Sequence, residues 1–224
     1  MTSREMQIAF EIEANIQDPT NKLSTIEIYY WLNRGVDKFV KTRYDGYNNK
    51  REGFEESQKR IDDLRTLIKE VVINTSAGSN KPNSYIATLP NDYMFSVGEE
   101  AAITYTNLQS QTITSRQGLI EITTDRYRKE LDNPLSDFTL QNDWAYPLRL
   151  FYNTYVELIS DGQYTIPTFY LRYIKIPVII DGNNNCDLPL QSHIEIVKFA
   201  VQMFIENQVS NRYQTYSAEV ASME

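Results

Sequence analysis

His193-Ile194-Glu195-Ile196-Val197-Lys198-Phe199-Ala200-Val201-Gln202-Met203-Phe204-Ile205-Glu206 is the stretch that decides the fold. Ile194, Val197, Val201, Phe204 and Ile205 fall on one helical stripe. Ile196, Phe199, Ala200 and Met203 widen it until the helix is apolar nearly all round. Such a helix is buried on most sides, so other elements must surround it. No Gly or Pro occurs from Leu190 to Glu224. A helix continuing into the mid-210s would approach roughly 40 Å at about 1.5 Å per residue. Its end, Asn211-Arg212-Tyr213-Gln214-Thr215-Tyr216, is therefore expected to project beyond its own bundle.

The partners for this helix are sought at the other end of the chain, which predicts three more helices. Thr2 and Glu5 fit a capping box, and Ile8, Ile12 and Ile16 follow at helical spacing until Asp18-Pro19. Ser24 and Glu27 form a second box, with Leu23 and Ile28 at the staple positions. Ile28, Leu32, Gly35, Val36, Phe39 and Val40 then mark one face until the turn-rich Asp45-Gly46-Tyr47-Asn48-Asn49. Phe54, Ile61, Leu64, Ile68 and Val71 predict a third helix with a charged outer face.

Between the two helical ends the period changes. Residues 74–84 read as a Ser/Asn/Gly/Pro linker, and strands are predicted over 85–90, 101–105, 118–122, 148–159 and 165–180. Ser160-Asp161-Gly162 reads as a hairpin turn between the last two, and 125–131 as one short helix. Pro167 and Pro177 suggest edge positions or strand ends. The fold expected is α+β: a helical bundle of residues 1–73 and 188–224, with a β-rich insertion at 74–187.

Composition removes whole classes of function. The 224 residues include one Cys, one His and eight Gly, and the formal net charge is -8. Cys186 alone builds no disulfide framework or Cys-based zinc site, and His193 alone builds no His cluster. Neither a phosphate-binding glycine loop nor a nucleophile elbow is present. An acidic chain is a poor general binder of nucleic acid. No signal peptide or membrane span is predicted, and the expectation is a soluble protein of a reducing compartment without metal or cofactor.

The individual candidates have ordinary readings as well as functional ones. His193 reads as a helix-start or packing residue, and Cys186 as a neutral residue in an Asn-rich turn. Asp181, Asn183 and Asn185 occupy the first, third and fifth positions of a calcium loop. The sixth is Cys186 where Gly is required and the twelfth is Ser192 where Glu is required, so a strand-to-helix turn is preferred. The adjacent acids Asp62/Asp63 and Glu99/Glu100 point in different directions and make no shared acid/base site. Lys38, Lys41, Arg43, Lys50 and Arg51 form a locally basic stretch, read as a solvated helix end or as a contact for an acidic neighbour or passing nucleic acid. The 16 Tyr suggest aromatic strand faces or protein interfaces.

Several stretches resemble the head-to-tail connector (portal adaptor) proteins of tailed phages, most like the ring proteins of crAss-like phages. They are Ile26-Glu27-Ile28-Tyr29-Tyr30-Trp31-Leu32-Asn33-Arg34-Gly35, Phe39-Val40-Lys41-Thr42-Arg43-Tyr44-Asp45-Gly46 and the run from Phe54 to Leu64. Leu89-Pro90-Asn91-Asp92-Tyr93 and Leu188-Pro189 before His193 carry the likeness further. The resemblance implies a non-enzymatic virion part at the portal vertex. It implies twelvefold rings, with the portal protein and the next ring or tail protein as partners. It also implies duplex DNA passing through the lumen without specific binding, and a C-terminal segment from Asn207, including Arg212, Tyr213 and Tyr216, that meets the portal. A closing ring needs two different patches. The candidates are the second-helix residues Tyr29, Tyr30 and Trp31, and Phe199, Met203 and Phe204 of the last helix; filling the monomer core is the alternative for each. Other readings are a different tail ring or tail-completion protein, and a carbohydrate-binding β module around Trp144 and Tyr152.

Overall fold

Thr2 and Ser24 start the first two helices as the capping boxes predict. Each hydroxyl accepts from the backbone N–H three residues on, and Glu5 and Glu27 reach back to the cap N–H groups. In the computed structural model the described residues are 1–16, 23–45, 53–79, 81–133, 136–141 and 143–208. The helices are α1 (Ser3–Ala14), α2 (Thr25–Tyr44), α3 (Gln58–Leu64), α4 (Tyr127–Leu131) and α5 (His193–Asn207). The strands are β1 (Ile68–Asn74), β2 (Ser76–Ala77), β3 (Ser84–Thr88), β4 (Tyr93–Thr106), β5 (Thr112–Gly118), β6 (Ile120–Glu121), β7 (Leu148–Phe151), β8 (Tyr155–Ile159) and β9 (Tyr164–Lys175). The molecule is α+β and divides into two units, Met1–Ile68 with Ile176–Glu224, and Lys69–Lys175.

In the first unit, α5 packs against both α1 and α2. Its buried positions, including Ile196, Val197, Phe199, Ala200, Val201, Phe204 and Ile205, cover most of its circumference, but Ile194, expected on the buried stripe, is 57% exposed in the first turn, where α5 is only beginning to enter the packed layer. The buried face of α2 is the predicted one. That of α1 is not. Met6, Gln7, Phe10 and Ala14 turn inward, whereas Ile8 and Ile12 are exposed, because the helix presents Phe10 rather than its isoleucines to α5. The expected breaks at Asp18-Pro19 and 46–49, and any helix beyond residue 208, lie outside the described residues.

The predicted third helix is cut short. α3 passes through a 3-10 turn, Arg65–Leu67, and Ile68 opens a strand. Ile68-Lys69-Glu70-Val71-Val72-Ile73 is rich in β-branched residues, and its apolar positions satisfy both periods. Val71 and Ile73 packing into the sandwich core settles the choice for strand, while Val72 points out.

The second unit is two sheets, ordered β1-β9-β4-β5 and β2-β3-β8-β7-β6. Ala87, Val156 and Leu158 of one sheet and Ile103, Ile166, Phe169 and Leu171 of the other form one core. A second cluster, Ile122, Phe138, Leu148, Leu150 and Ile159 with Tyr127 and Leu131, lies between the larger sheet and the α4 segment.

Several strand expectations change. The strand expected over 165–180 stops at Lys175, before Pro177, and that expected over 118–122 is the end of β5 followed by the short β6. Residues 148–159 form two antiparallel strands rather than one. The Ser160-Asp161-Gly162 turn does not make a hairpin. β8 already has β3 and β7 on its two sides, so the chain crosses to the other sheet, with Gly162 at φ 91°. Pro167 sits in a central strand, but its carbonyl accepts the Thr75 N–H just past the end of β1, so its missing donor faces the side where the β1 ladder has stopped. The β4–β5 hairpin was not predicted beyond the core of β4. Asn107 Oδ1 accepts the Gln109 and Gln111 N–H groups at its tip, at 3.0 and 2.9 Å.

Candidate functional site

The helical unit collects most of the residues singled out in the sequence. The Phe204 ring lies 5.6 Å from Phe10 and 6.0 Å from Trp31, joining α5 to α1 and α2. Tyr30 meets Trp31 edge-on at 5.2 Å on the outside of this group. Phe199 packs 6.4 Å from Phe39, with the Lys38 ammonium 5.2 Å above it. Phe199 and Phe204 are therefore buried within one copy, Tyr29, Trp31 and Met203 are half-buried, and Tyr30 and Asn207 are exposed. Arg212, Tyr213 and Tyr216 lie outside the described residues. The helices approach closely at Gly35, where a Cβ would stand 2.7 Å from the Ile196 carbonyl oxygen.

Arg43, expected on a basic surface, is buried instead. Its Nε pairs with Asp63 at 2.9 Å, and its Nη2 with Glu195. Lys59 meets the other Glu195 oxygen at 3.2 Å, and the Ser192 hydroxyl donates to Asp63 at 3.3 Å. Neutralisation by two carboxylates makes the burial tolerable and ties α2, α3 and the start of α5 together. The sequence signal was present only as Asp63 and Glu195, each far from Arg43 in the chain. Lys50 and Arg51 lie outside the described residues.

The chemical candidates are occupied by structural bonds. His193 Nε2 lies 2.9 Å from the Leu188 carbonyl oxygen, and burial pulls its pKa below the usual value. Burial pushes the Cys186 thiol up to about 11, away from reactive thiolate character. Asp181 Oδ1 accepts the Asn183 and Asn184 N–H groups, and Asn185 Oδ1 accepts the Ser3 N–H at 2.7 Å. These side-chain oxygens stitch the turn and anchor α1.

On the outer side of the smaller sheet, a groove of about 560 Å³ is lined by Glu70, Gly98, Glu100, Arg116, Tyr170 and Arg172. Arg116 pairs with Glu100 and lies 4.0 Å above the Tyr170 ring, and Arg172 meets Glu70 at 3.5 Å. Glu99 points away from Glu100, with its Oε2 2.8 Å from Arg149 Nε, so the adjacent acids do diverge. Trp144 and Tyr152 are half-buried. Trp144 packs on Tyr146, and Tyr152 stacks on Tyr155 at 4.7 Å and hydrogen-bonds Glu157.

Aromatic packing and paired charges make up these contacts. Comparison with known proteins identifies the family. A family model described as phage tail ring protein 3/4 matches residues 1–216. The chain belongs to this phage tail ring protein family. A relative named ring protein 4/5, from Bacteroides phage crAss001, is 26% identical over 194 residues, covering 77% of this chain and 78% of the relative. The chain is thus a structural ring protein of a crAss-like phage tail, a component of the virion. Among the described residues of the ring protein, no helix is long and apolar enough to cross a membrane.

Proposed function

We propose that this ring protein forms a closed ring, of about twelve copies, in the neck below the portal, joining capsid to tail and passing duplex DNA. The observation that carries the reading is the family match over residues 1–216, which spans both structural units. The contacts proposed for subunit assembly use the aromatic end of α2, Tyr29, Tyr30 and Trp31, backed by Phe204, together with half-buried Met203 of α5; Phe199 is buried against Phe39 instead. The segment from Asn207 through Arg212, Tyr213 and Tyr216 is proposed to meet the portal or the adjoining ring. Images of the purified chain mixed with its portal protein test this: rings on the portal are expected, and free monomer alone would overturn it.

The tail description of the family also supports a second position, a ring further from the capsid. Portal protein recovered with the tagged chain from infected cells selects the first position, and only tail components the second.

Charge gives the lumen a physical role. Residues 1–75 carry 12 basic and 13 acidic side chains, and 76–224 carry 10 and 17. A lumen lined by carboxylates repels the DNA backbone, so duplex passes without adhering.

A further inference from the structure

We propose that Tyr127, Tyr152 and Glu157 form a receptor for a primary alkylammonium group, which the chain fills with its own Lys81 to latch α4 onto the larger sheet. The site lies wholly within the Lys69–Lys175 unit and is independent of the ring reading.

Glu157 sets the site. Val156 and Leu158 of β8 face the core between the two sheets, so Glu157 points the other way, toward the cluster under α4. It is fully buried in the middle strand of its sheet, with β3 on one side and β7 on the other. A carboxylate in that position is costly without a cation. The cation comes from the segment that reads in the sequence as a linker. Lys81 Nζ lies 2.5 Å from Glu157 Oε2 and donates to the Tyr152 hydroxyl at 2.8 Å. That hydroxyl in turn donates to the same Oε2 at 3.1 Å.

Two rings complete the cage. The ammonium stands 5.4 Å from the centroids of both Tyr127 and Tyr152, and Tyr155 stacks on Tyr152 at 4.7 Å and holds it in place. Aromatic faces around a carboxylate favour an organic ammonium. A calcium or magnesium ion takes about six or more oxygen ligands, and among the described residues no three His, Cys, Asp or Glu side chains are gathered to hold a metal. Glu157 Oε1 is buried without a hydrogen-bond partner among the described residues, so the carboxylate keeps acceptor capacity that the tethered lysine does not use. One ammonium thereby joins the β2–β3 loop, α4 and the turn between β7 and β8. α4 has no fully buried residue, and Tyr127 and Leu131 are its packed positions, so Lys81 reinforces a thin attachment.

Amine rescue in the full chain tests the site. Lys81→Ala removes the side chain beyond Cβ, a fragment that n-propylammonium replaces. The variant should show a lower thermal midpoint and amide exchange across α4 faster by several-fold. n-Propylammonium chloride should reverse both effects and saturate, while potassium chloride at equal ionic strength should not. Tyr127→Leu in the same background should weaken the rescue several-fold. Adding Glu157→Gln to Lys81→Ala should give a chain that folds without amine and takes none up, because no buried charge is left unpaired. Unchanged α4 exchange in Lys81→Ala, rescue matched by potassium chloride, or rescue indifferent to Tyr127→Leu would each overturn the receptor. So would a Lys81→Ala chain that stays unfolded in excess amine, or a double variant that still responds to it.

Discussion

His193 shows how burial sets a proton equilibrium in this chain. Its pKa in the fold is lowered from 6.5 chiefly by burial, so the unfolded chain takes up a proton first as pH falls. The neutral ring's contribution is fully present above 6.5, and is lost as pH drops from there through the folded pKa, below which the dependence levels off. Denaturation midpoints measured from pH 7.5 to 4.5 should decline over that window and do so less steeply in His193→Gln. Equal slopes would show that another group carries the dependence. At Gly35 the constraint is space. Gly35→Ala puts a methyl 2.7 Å from a carbonyl oxygen and 3.0 Å from the Ala200 Cβ, forcing α2 and α5 apart. The expected loss is about 1–3 kcal/mol by urea denaturation. Arg43→Ala leaves Asp63 buried without its cation and should cost about 3–5 kcal/mol in the same measurement, well above a surface substitution such as Lys41→Ala.

Helix α1 buries one face through Met6, Phe10 and Ala14, and its cap adds a separate, local contribution. Thr2→Ala removes the hydroxyl that accepts the Glu5 N–H and should lower stability by about 1 kcal/mol, seen as a lower thermal midpoint with an unchanged fold. β1 makes a different point. Its residues alternate Val71 and Ile73 into the sandwich core with Glu70 and Val72 outward, so Val71→Asp should destabilise the sheet unit and Val72→Asp should not. Paired circular dichroism melts of the two variants distinguish a strand from a helix continuing past Leu67, in which the two positions would not divide this way.

For the whole molecule, the acidity located after residue 75 is the property to perturb. Several exposed acids of the β unit replaced together by Lys should slow DNA ejection from assembled particles, more so at low salt. Ejection at the wild-type rate would remove the lumen role from these carboxylates.

Much of this was already written in the chain. The caps at Thr2 and Ser24, the inward face of α2 and the broad apolar face of α5 are local patterns, since neighbours along a helix set them. The resemblance to ring proteins was legible in the same helical stretches, and the family match covers them. Tertiary structure decided what local periods leave open. Ile68 and Val71 fit helix and strand equally until the sandwich core took the strand, and the Ser160-Asp161-Gly162 turn could pair β8 with β9 only if β8 had a vacant side. Arg43 was drawn inward by Asp63 and Glu195, and Ile8 and Ile12 were left outside because Phe10 took the place against Phe204. Each of these outcomes depends on partners distant in sequence, whose competition for the same buried surface no local pattern encodes.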